Sequence, residues 1–197
     1  MRVLVIDAHP AASTLGERIR REVVDGLTGA DHEPTVLELD RLGFRVAMSA
    51  EERRRYETDA PIVDPMVAEH AELLRTSRAL VVSAPTTIYG LPPLAKGWLE
   101  RVLVTGVAFS FDPHTNALRP ELGHLRWLVG VVTTDAPRWR LRLLGDPARR
   151  TITRTLWLTC ERKPQRRWHC LANASAASSE DVELFARGAG TVVGDLR

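Results

Sequence analysis

Short apolar runs rich in β-branched residues alternate along the chain with longer segments whose apolar residues recur at helical spacing. The runs predict buried strands over residues 2–8, 34–39, 79–84, 125–132 and 168–172. The helical spacing predicts helices over residues 13–27, 64–77, 93–104 and about 179–193. Strands separated by helices pair in parallel through right-handed crossovers. The pattern therefore predicts a three-layer, doubly wound α/β fold with a five-stranded parallel sheet.

The composition is that of a globular protein, with 44% apolar and 26% charged residues, which excludes a disordered or fibrous chain. A chain of 197 residues without repeat or linker is expected to form one domain, residues 1–197. Its longest apolar runs are far shorter than the roughly 20 residues of a membrane span. A charge at Asp7 interrupts the first apolar run before a signal peptide could form, so we expect a cytoplasmic protein.

Several classes of site have no support in the sequence. Cys160 and Cys170 are too few and too far apart for a disulfide framework or a CxxC motif, and are expected to be free thiols. HExxH and paired cysteine motifs are absent, so no metal site is expected. The absence of GxSxG disfavours a hydrolase of that type.

Positive charge is concentrated late in the chain. Residues 138–169 carry ten basic side chains and two acidic ones, although the whole chain has a net charge of only +2. Such a segment suits the phosphate of a nucleotide cofactor or of a nucleic acid, or is a solvated basic face. No nucleic-acid recognition motif accompanies the charge, so nucleic acid is not expected as a partner.

A doubly wound sheet binds ligands at the carboxyl ends of its strands, here after the first and third strands. His9, Ser13 and Thr14 follow the first strand and open a helix, which suits a phosphate cradle but is also typical of a plain helix entry. No Walker loop and no GxGxxG occurs there. Pro85 and residues 86–89 form a rim after the third strand that suits the edge of a planar heterocycle.

One longer pattern is specific. It reads Pro-x-x-x-aromatic-Gly-x-Pro-Pro-x-x-Lys-Gly-Trp-x-x-Arg-Val over residues 85–102, followed by Gly-Val-Ala-Phe at 106–109 and Phe-Asp at 111–112. It resembles the NAD(P)H:quinone oxidoreductase family of flavodoxin-like flavoproteins. Residues 39–56 also look like that family, and the likeness extends from Val3 to about Thr134.

The resemblance implies a flavodoxin-like fold and a non-covalent flavin, FMN or FAD, with FMN favoured because a short chain has little loop to hold an adenine. It implies electron transfer from NAD(P)H to a quinone-like acceptor by a ping-pong mechanism, in a homodimer. The flavin phosphate would lie at His9, Thr14, Leu15 and Gly16. The flavin ring would lie at Pro85, Thr86, Thr87, Ile88, Tyr89, Thr133, Thr134 and Asp135. No catalytic side chain is assigned.

Three pairs of residues depart from the family pattern. Leu15 and Gly16 stand where the family has Phe and Asn, Thr87 and Ile88 stand where large aromatics are common, and Asp135-Ala136 replaces two glycines. In the family's pose the Asp135 carboxylate approaches the part of the ring that becomes negative on reduction, and would disfavour the reduced form. The alternative is that Asp135 caps a helix beginning near Arg138.

These departures leave two hypotheses. The retained His9, Thr14 and Thr133-Thr134 favour a flavin-dependent NAD(P)H oxidoreductase. The substituted loops and the basic segment 138–169 favour a flavodoxin-like binding or regulatory protein with weak or lost flavin turnover.

Overall fold

The computed structural model describes residues 1–197 and is built around a parallel sheet. Its strands are β1 (Arg2–Asp7), β2 (Glu33–Glu38), β3 (Ala79–Pro85), β4 (Phe109–Phe111), β5 (Leu118–Pro120), β6 (Trp127–Thr134) and β7 (Gln165–Ala172). Five of them form one sheet in the order β2-β1-β3-β6-β7, with every neighbouring pair parallel. The predicted five-stranded fold is confirmed.

Helices cover both faces of this sheet. They are α1 (Thr14–Gly29), α2 (Ala50–Arg55), α3 (Pro65–Thr76), α4 (Pro93–Val102), α5 (Arg138–Leu144), α6 (Pro147–Arg150), α7 (Leu156–Leu158) and α8 (Ser179–Gly194). Apolar residues of α1 and α8 pack on one face of the sheet. Residues of α3, α4 and a π-helical turn at Thr151–Thr155 pack on the other. The sheet is thus the middle of three layers.

Several helices begin where the sequence supplies side-chain caps. The Ser13 hydroxyl accepts a hydrogen bond from the Gly16 amide at the start of α1. Asp64 caps α3, which has proline at its first position, and Ser178 forms a capping box at the start of α8. These caps satisfy amides that have no partner inside the helix, and they place α1 directly after the loop that follows β1.

Helices α1 and α8 cross in close contact through glycines. A Cβ added to Gly26 would lie 2.2 Å from the Gly190 carbonyl oxygen, and one added to Gly190 would lie 2.6 Å from the Glu22 carbonyl oxygen. Only residues without a side chain allow this approach of two backbones. The last helix therefore fixes the position of the first.

A buried ion cluster fastens the long connection between β2 and α3 to α4. The Arg101 guanidinium, 3% exposed, donates to Glu52 Oε1 at 2.6 Å, to Asp64 Oδ2 at 2.7 Å and to the Arg45 carbonyl oxygen at 2.7 Å. It also lies 5.1 Å from the centre of the Phe44 ring. Burial would raise the pKa of Glu52, but hydrogen bonds from the Ser49 amide and Arg101 keep that pKa below its ordinary value.

The structure differs from the sequence-based prediction in three segments. β4 and β5 form an antiparallel hairpin that was not predicted. Residues 138–158 contain α5, α6, the π-helical turn and α7, where only a helix start near Arg138 was expected. β7 also begins at Gln165, earlier than predicted. None of the helices combines the length and the apolar character that crossing a membrane requires.

Candidate functional site

The loop between β1 and α1 presents unpaired backbone amides. The Ala11 amide donates to Asp40 Oδ2 at 2.7 Å and the Ser13 amide donates to the Pro10 carbonyl oxygen. The amides of Ala12, Thr14 and Leu15 have no hydrogen-bond acceptor in the protein. They lie at the positive end of a 16-residue helix, where such groups bind anions.

His9 lies buried beneath this loop. Its Nδ1 is 2.7 Å from Asp7 Oδ1, and its backbone amide donates to the same oxygen at 3.1 Å. Its Nε2 is buried and has no hydrogen-bond partner. A Cβ at Gly16 would lie 2.5 Å from His9 Cβ, so the imidazole requires glycine where the family pattern has Asn. The buried nitrogen without a partner marks a place for a ligand atom.

The loop after β3 is a strained two-residue turn. Thr87 and Gly90 exchange both backbone hydrogen bonds at 3.0 Å, and Ile88 and Tyr89 between them have φ values of +48° and +65°. A β-branched residue rarely adopts positive φ, and such strain clusters at functional sites. The Thr86 amide donates to the Thr133 carbonyl oxygen. The Ile88 and Tyr89 amides have no acceptor within the protein and are free.

In the loop after β6, the Asp135 carboxylate binds a backbone amide of another loop. Thr133 and Thr134 are buried, whereas Asp135 is exposed and its Oδ1 accepts a hydrogen bond at 2.9 Å from the Ser175 amide. The alternative that Asp135 caps the helix near Arg138 is wrong, because α5 follows Pro137 without any side-chain cap. The carboxylate instead holds the loop that follows β7.

The topology brings these three loops to one edge of the sheet. β1, β3 and β6 are neighbours, and the register pairs Asp7 with Ser83 and Pro85 with Thr133. All twelve predicted site residues lie at this carboxyl edge. They are His9, Thr14, Leu15, Gly16, Pro85, Thr86, Thr87, Ile88, Tyr89, Thr133, Thr134 and Asp135.

Sequence reasoning missed two members of this edge. Ser83 is 1% exposed and its hydroxyl has no hydrogen-bond partner, and Asp7 is the partner of His9. The available signal was a polar residue near the carboxyl end of each of two otherwise apolar strands. Asp and Ser are mostly exposed in proteins, so their burial here is informative.

Residues 1–157 match a protein family described as having a flavodoxin-like fold. The chain belongs to this family. The match confirms the fold named from the resemblance, and it covers the loops after β1, β3 and β6 of the flavodoxin-like chain. No curated protein sequence matches it.

Solved structures extend the likeness to the whole flavodoxin-like chain. An NAD(P)H:quinone oxidoreductase from Methanothermobacter marburgensis is 21% identical, with a TM-score of 0.85 over 100% of this chain and 99% of the other. An FMN-dependent NADH-azoreductase from Bacillus anthracis, in complex with FMN, is 11% identical, with a TM-score of 0.72 and coverage of 98% and 97%. General stress protein 14 from Treponema denticola, in complex with FMN, is 22% identical, with a TM-score of 0.66 and full coverage of both chains. At these identities the likeness establishes the fold.

The two thiols of the flavodoxin-like chain are free, as expected. Burial raises the pKa of Cys160 and of Cys170 to about 11. Both are therefore protonated at neutral pH, and neither is a nucleophile of the site.

Proposed function

We propose that the chain is a flavin-dependent NAD(P)H oxidoreductase that binds FMN at the carboxyl edge of the sheet. The observation that carries this proposal is the unsatisfied donor set around the first loop. Three free amides at the start of α1 form a place for an anion, and the buried His9 Nε2 near them has no partner within the protein. The FMN complexes among similar folds support the same assignment, and favour FMN over FAD.

The residues present fit the phosphate end of FMN. The Ala12, Thr14 and Leu15 amides and the exposed Thr14 hydroxyl would hold the phosphate. The Asp7 carboxylate holds Nδ1 of His9 in a hydrogen bond, so that Nε2, on the other side of the ring, faces away from Asp7. Because Gly16 stands where the family has Asn, one side-chain donor to the phosphate is missing. The three amides supply the remaining donors.

The residues after β3 and β6 fit the ring. The free Ile88 and Tyr89 amides can donate to its polar edge, and buried Thr133 and Thr134 form a wall beside it. Bound FMN would supply two-electron transfer between a nicotinamide and the acceptor. The protein then contributes orientation and exclusion of water. We infer a quinone-like acceptor and a ping-pong order, as the resemblance implies.

The surface around the site also favours a homodimer. Ile88 is 90% exposed at the tip of its turn, and the Ala148 amide donates to the Tyr89 carbonyl oxygen, which brings α6 beside that turn. Trp139 and Leu143 on α5 are 60% and 77% exposed. Large apolar side chains grouped at one edge are typical of an interface. We infer that a second copy of the chain covers them.

Replacing Thr14 with alanine is expected to weaken FMN binding by about 0.5–2 kcal/mol, because a hydroxyl that bonds the phosphate is lost. Titration of the purified chain with FMN, followed by fluorescence quenching, measures this change. Thr14→Ser retains the hydroxyl and should bind as the parent does. Thr28→Ala removes an exposed hydroxyl at the opposite end of the same helix and is the matched control.

If FMN does not bind the parent chain at millimolar concentration, the oxidoreductase proposal fails. The second hypothesis, a binding or regulatory protein without flavin turnover, then remains, and the substituted positions 16 and 135 favour it. An unchanged dissociation constant for Thr14→Ala alone would mean that the phosphate lies elsewhere.

Replacing Asp135 with asparagine is expected to raise the midpoint potential of bound FMN. The substitution removes a negative charge that opposes reduction but keeps the oxygen that accepts from the Ser175 amide. Because the side chain is exposed, the effect should be about 1 kcal/mol or less. Redox titration of the two holoproteins measures it, and equal potentials would show that the charge does not face the ring.

A further inference from the structure

A groove of about 900 Å³ runs beside β7, and none of the twelve predicted site residues lines it. One wall is the outer edge of β7, and the other consists of α5, α6 and the π-helical turn. We call it the basic groove because seven arginines line it: Arg138, Arg142, Arg149, Arg150, Arg154, Arg166 and Arg167.

Most of this positive charge is uncompensated. Only Arg167 has a carboxylate within 4.0 Å, that of Asp195, and the other six arginines have none. Those six side chains are exposed. Asp146, the one acidic residue of the groove, accepts a hydrogen bond from the Arg149 amide as the cap of α6. A ligand for this groove must therefore bring several negative charges.

The strand that forms one wall has free backbone groups. β7 is the last strand of the sheet, and the Gln165 amide donates to the Arg126 carbonyl oxygen. In a parallel ladder, the amide and the carbonyl of one residue point to the same side of the strand, and successive residues alternate between the two sides. Gln165 and every second residue after it therefore direct these groups toward β6. The amides and carbonyls of Arg166, Trp168, Cys170 and Ala172 consequently point outward, and no other element hydrogen-bonds to them.

The two faces beside this edge differ in character. Trp168 and Cys170 lie on the face of the sheet that the π-helical turn covers. Trp168 packs there against Gly130 and Ile152. The arginines of α5 and α6 lie on the same face. On the other face a second groove of about 720 Å³ is mostly apolar, with Leu171, Phe185 and the 64%-exposed Leu184 among its lining residues. A strand added beside β7 would therefore meet arginines with one face and apolar side chains with the other.

We propose that the basic groove binds an extended acidic segment of another protein, which adds as a sixth strand beside β7. Acidic side chains at alternate positions would face the arginines, and apolar side chains between them would face Leu171 and Leu184. Charge excludes a second copy of β7 as the occupant, because two basic grooves would repel each other. A nucleic acid offers phosphate acceptors for the arginines but no amides for the outward carbonyls of β7.

A fluorescein-labelled octapeptide of alternating Glu and Val is the probe, and fluorescence anisotropy measures its binding. The parent chain is expected to bind it. The variant R142E/R150E should bind about tenfold more weakly or worse, whereas R18E/R53E, with the same change in net charge at exposed positions outside both grooves, should bind as the parent does. Amide hydrogen exchange at Arg166, Trp168 and Cys170 should slow when the peptide is bound.

Three results would overturn the proposal. Absence of peptide binding would mean that the arginines only guard an open sheet edge against aggregation. Equal weakening in the two variants would show attraction by net charge alone. Tighter binding of an eight-nucleotide single-stranded DNA, without slower exchange in β7, would identify a nucleic-acid surface instead.

Discussion

Replacing Arg101 with methionine should lower the free energy of unfolding by about 3–5 kcal/mol, the range for removing one partner of a buried ion pair. The substitution leaves Glu52, which is 6% exposed, without its guanidinium. It also releases Asp64 and the Arg45 carbonyl oxygen, so that the connection between β2 and α3 loses its attachment to α4. Urea unfolding of parent and variant at neutral pH measures the difference.

The effect should depend on pH in a defined direction. The hydrogen bond from Arg101 lowers the pKa of Asp64 against the opposing effect of burial, and the pKa of Glu52 is also below its ordinary value. Carboxyl groups with a depressed pKa in the folded state stabilise the protein above their unfolded pKa, near 4. That contribution is lost as the pH falls through the folded pKa. The difference in stability between parent and R101M should therefore shrink on acidification below about pH 4.

Two variants make this prediction specific. R101M/E52Q removes the buried charge together with its partner and should recover part of the loss. Glu100→Gln breaks the exposed ion pair with Lys96 on the same helix and should cost less than about 1 kcal/mol. A loss for R101M no larger than for Glu100→Gln would show that the cluster does not hold the connection.

Replacing Gly26 with alanine should also destabilise the fold, by about 3 kcal/mol or more, the upper end for overpacking. The new Cβ would lie 2.2 Å from the Gly190 carbonyl oxygen, and backbone cannot move aside as a side chain can. A decrease in the free energy of unfolding would be informative, because replacing glycine with alanine inside a helix by itself stabilises the helix by about 1 kcal/mol. Thermal unfolding of the variant and the parent measures the change.

Gly29 offers the matched control in the same helix. A Cβ there meets no atom within 4 Å, so Gly29→Ala should leave stability unchanged or slightly raised. If Gly26→Ala and Gly29→Ala behaved alike, the close crossing of α1 and α8 would not limit the packing of this protein.

The main elements were predictable because each obeys one local rule. β1, β3 and β6 each contain a continuous run of residues without polar side chains, and helix caps such as Ser13 and Ser178 set the helix starts within a residue or two. The hairpin of β4 and β5 was missed because strands of three residues are too short to show a period. Residues 138–158 were missed because their charges and short helical pieces hide any single apolar stripe.

The candidate site was predictable in position but not in detail. Loop positions follow from strand order, so His9 and Thr133 were placed at the correct edge of the sheet. The contact of Asp135 with the Ser175 amide joins residues 40 positions apart, and no local pattern encodes it. The positive φ of Ile88 could not be predicted either, since propensity opposes a β-branched residue there.

The crossing of α1 and α8 bears on how the chain is made. The apolar face of α1, with Ile19, Val23 and Leu27, is completed only by α8, which begins about 165 residues later. At the usual speed of protein synthesis that is a wait of roughly 10 to 30 seconds. During this time the nascent chain emerges from the ribosome with α1 only partly covered, and a parallel sheet gives no early hairpin to shield it. Until α8 has been made, the residues of α1 that it will cover stay open to other apolar surfaces.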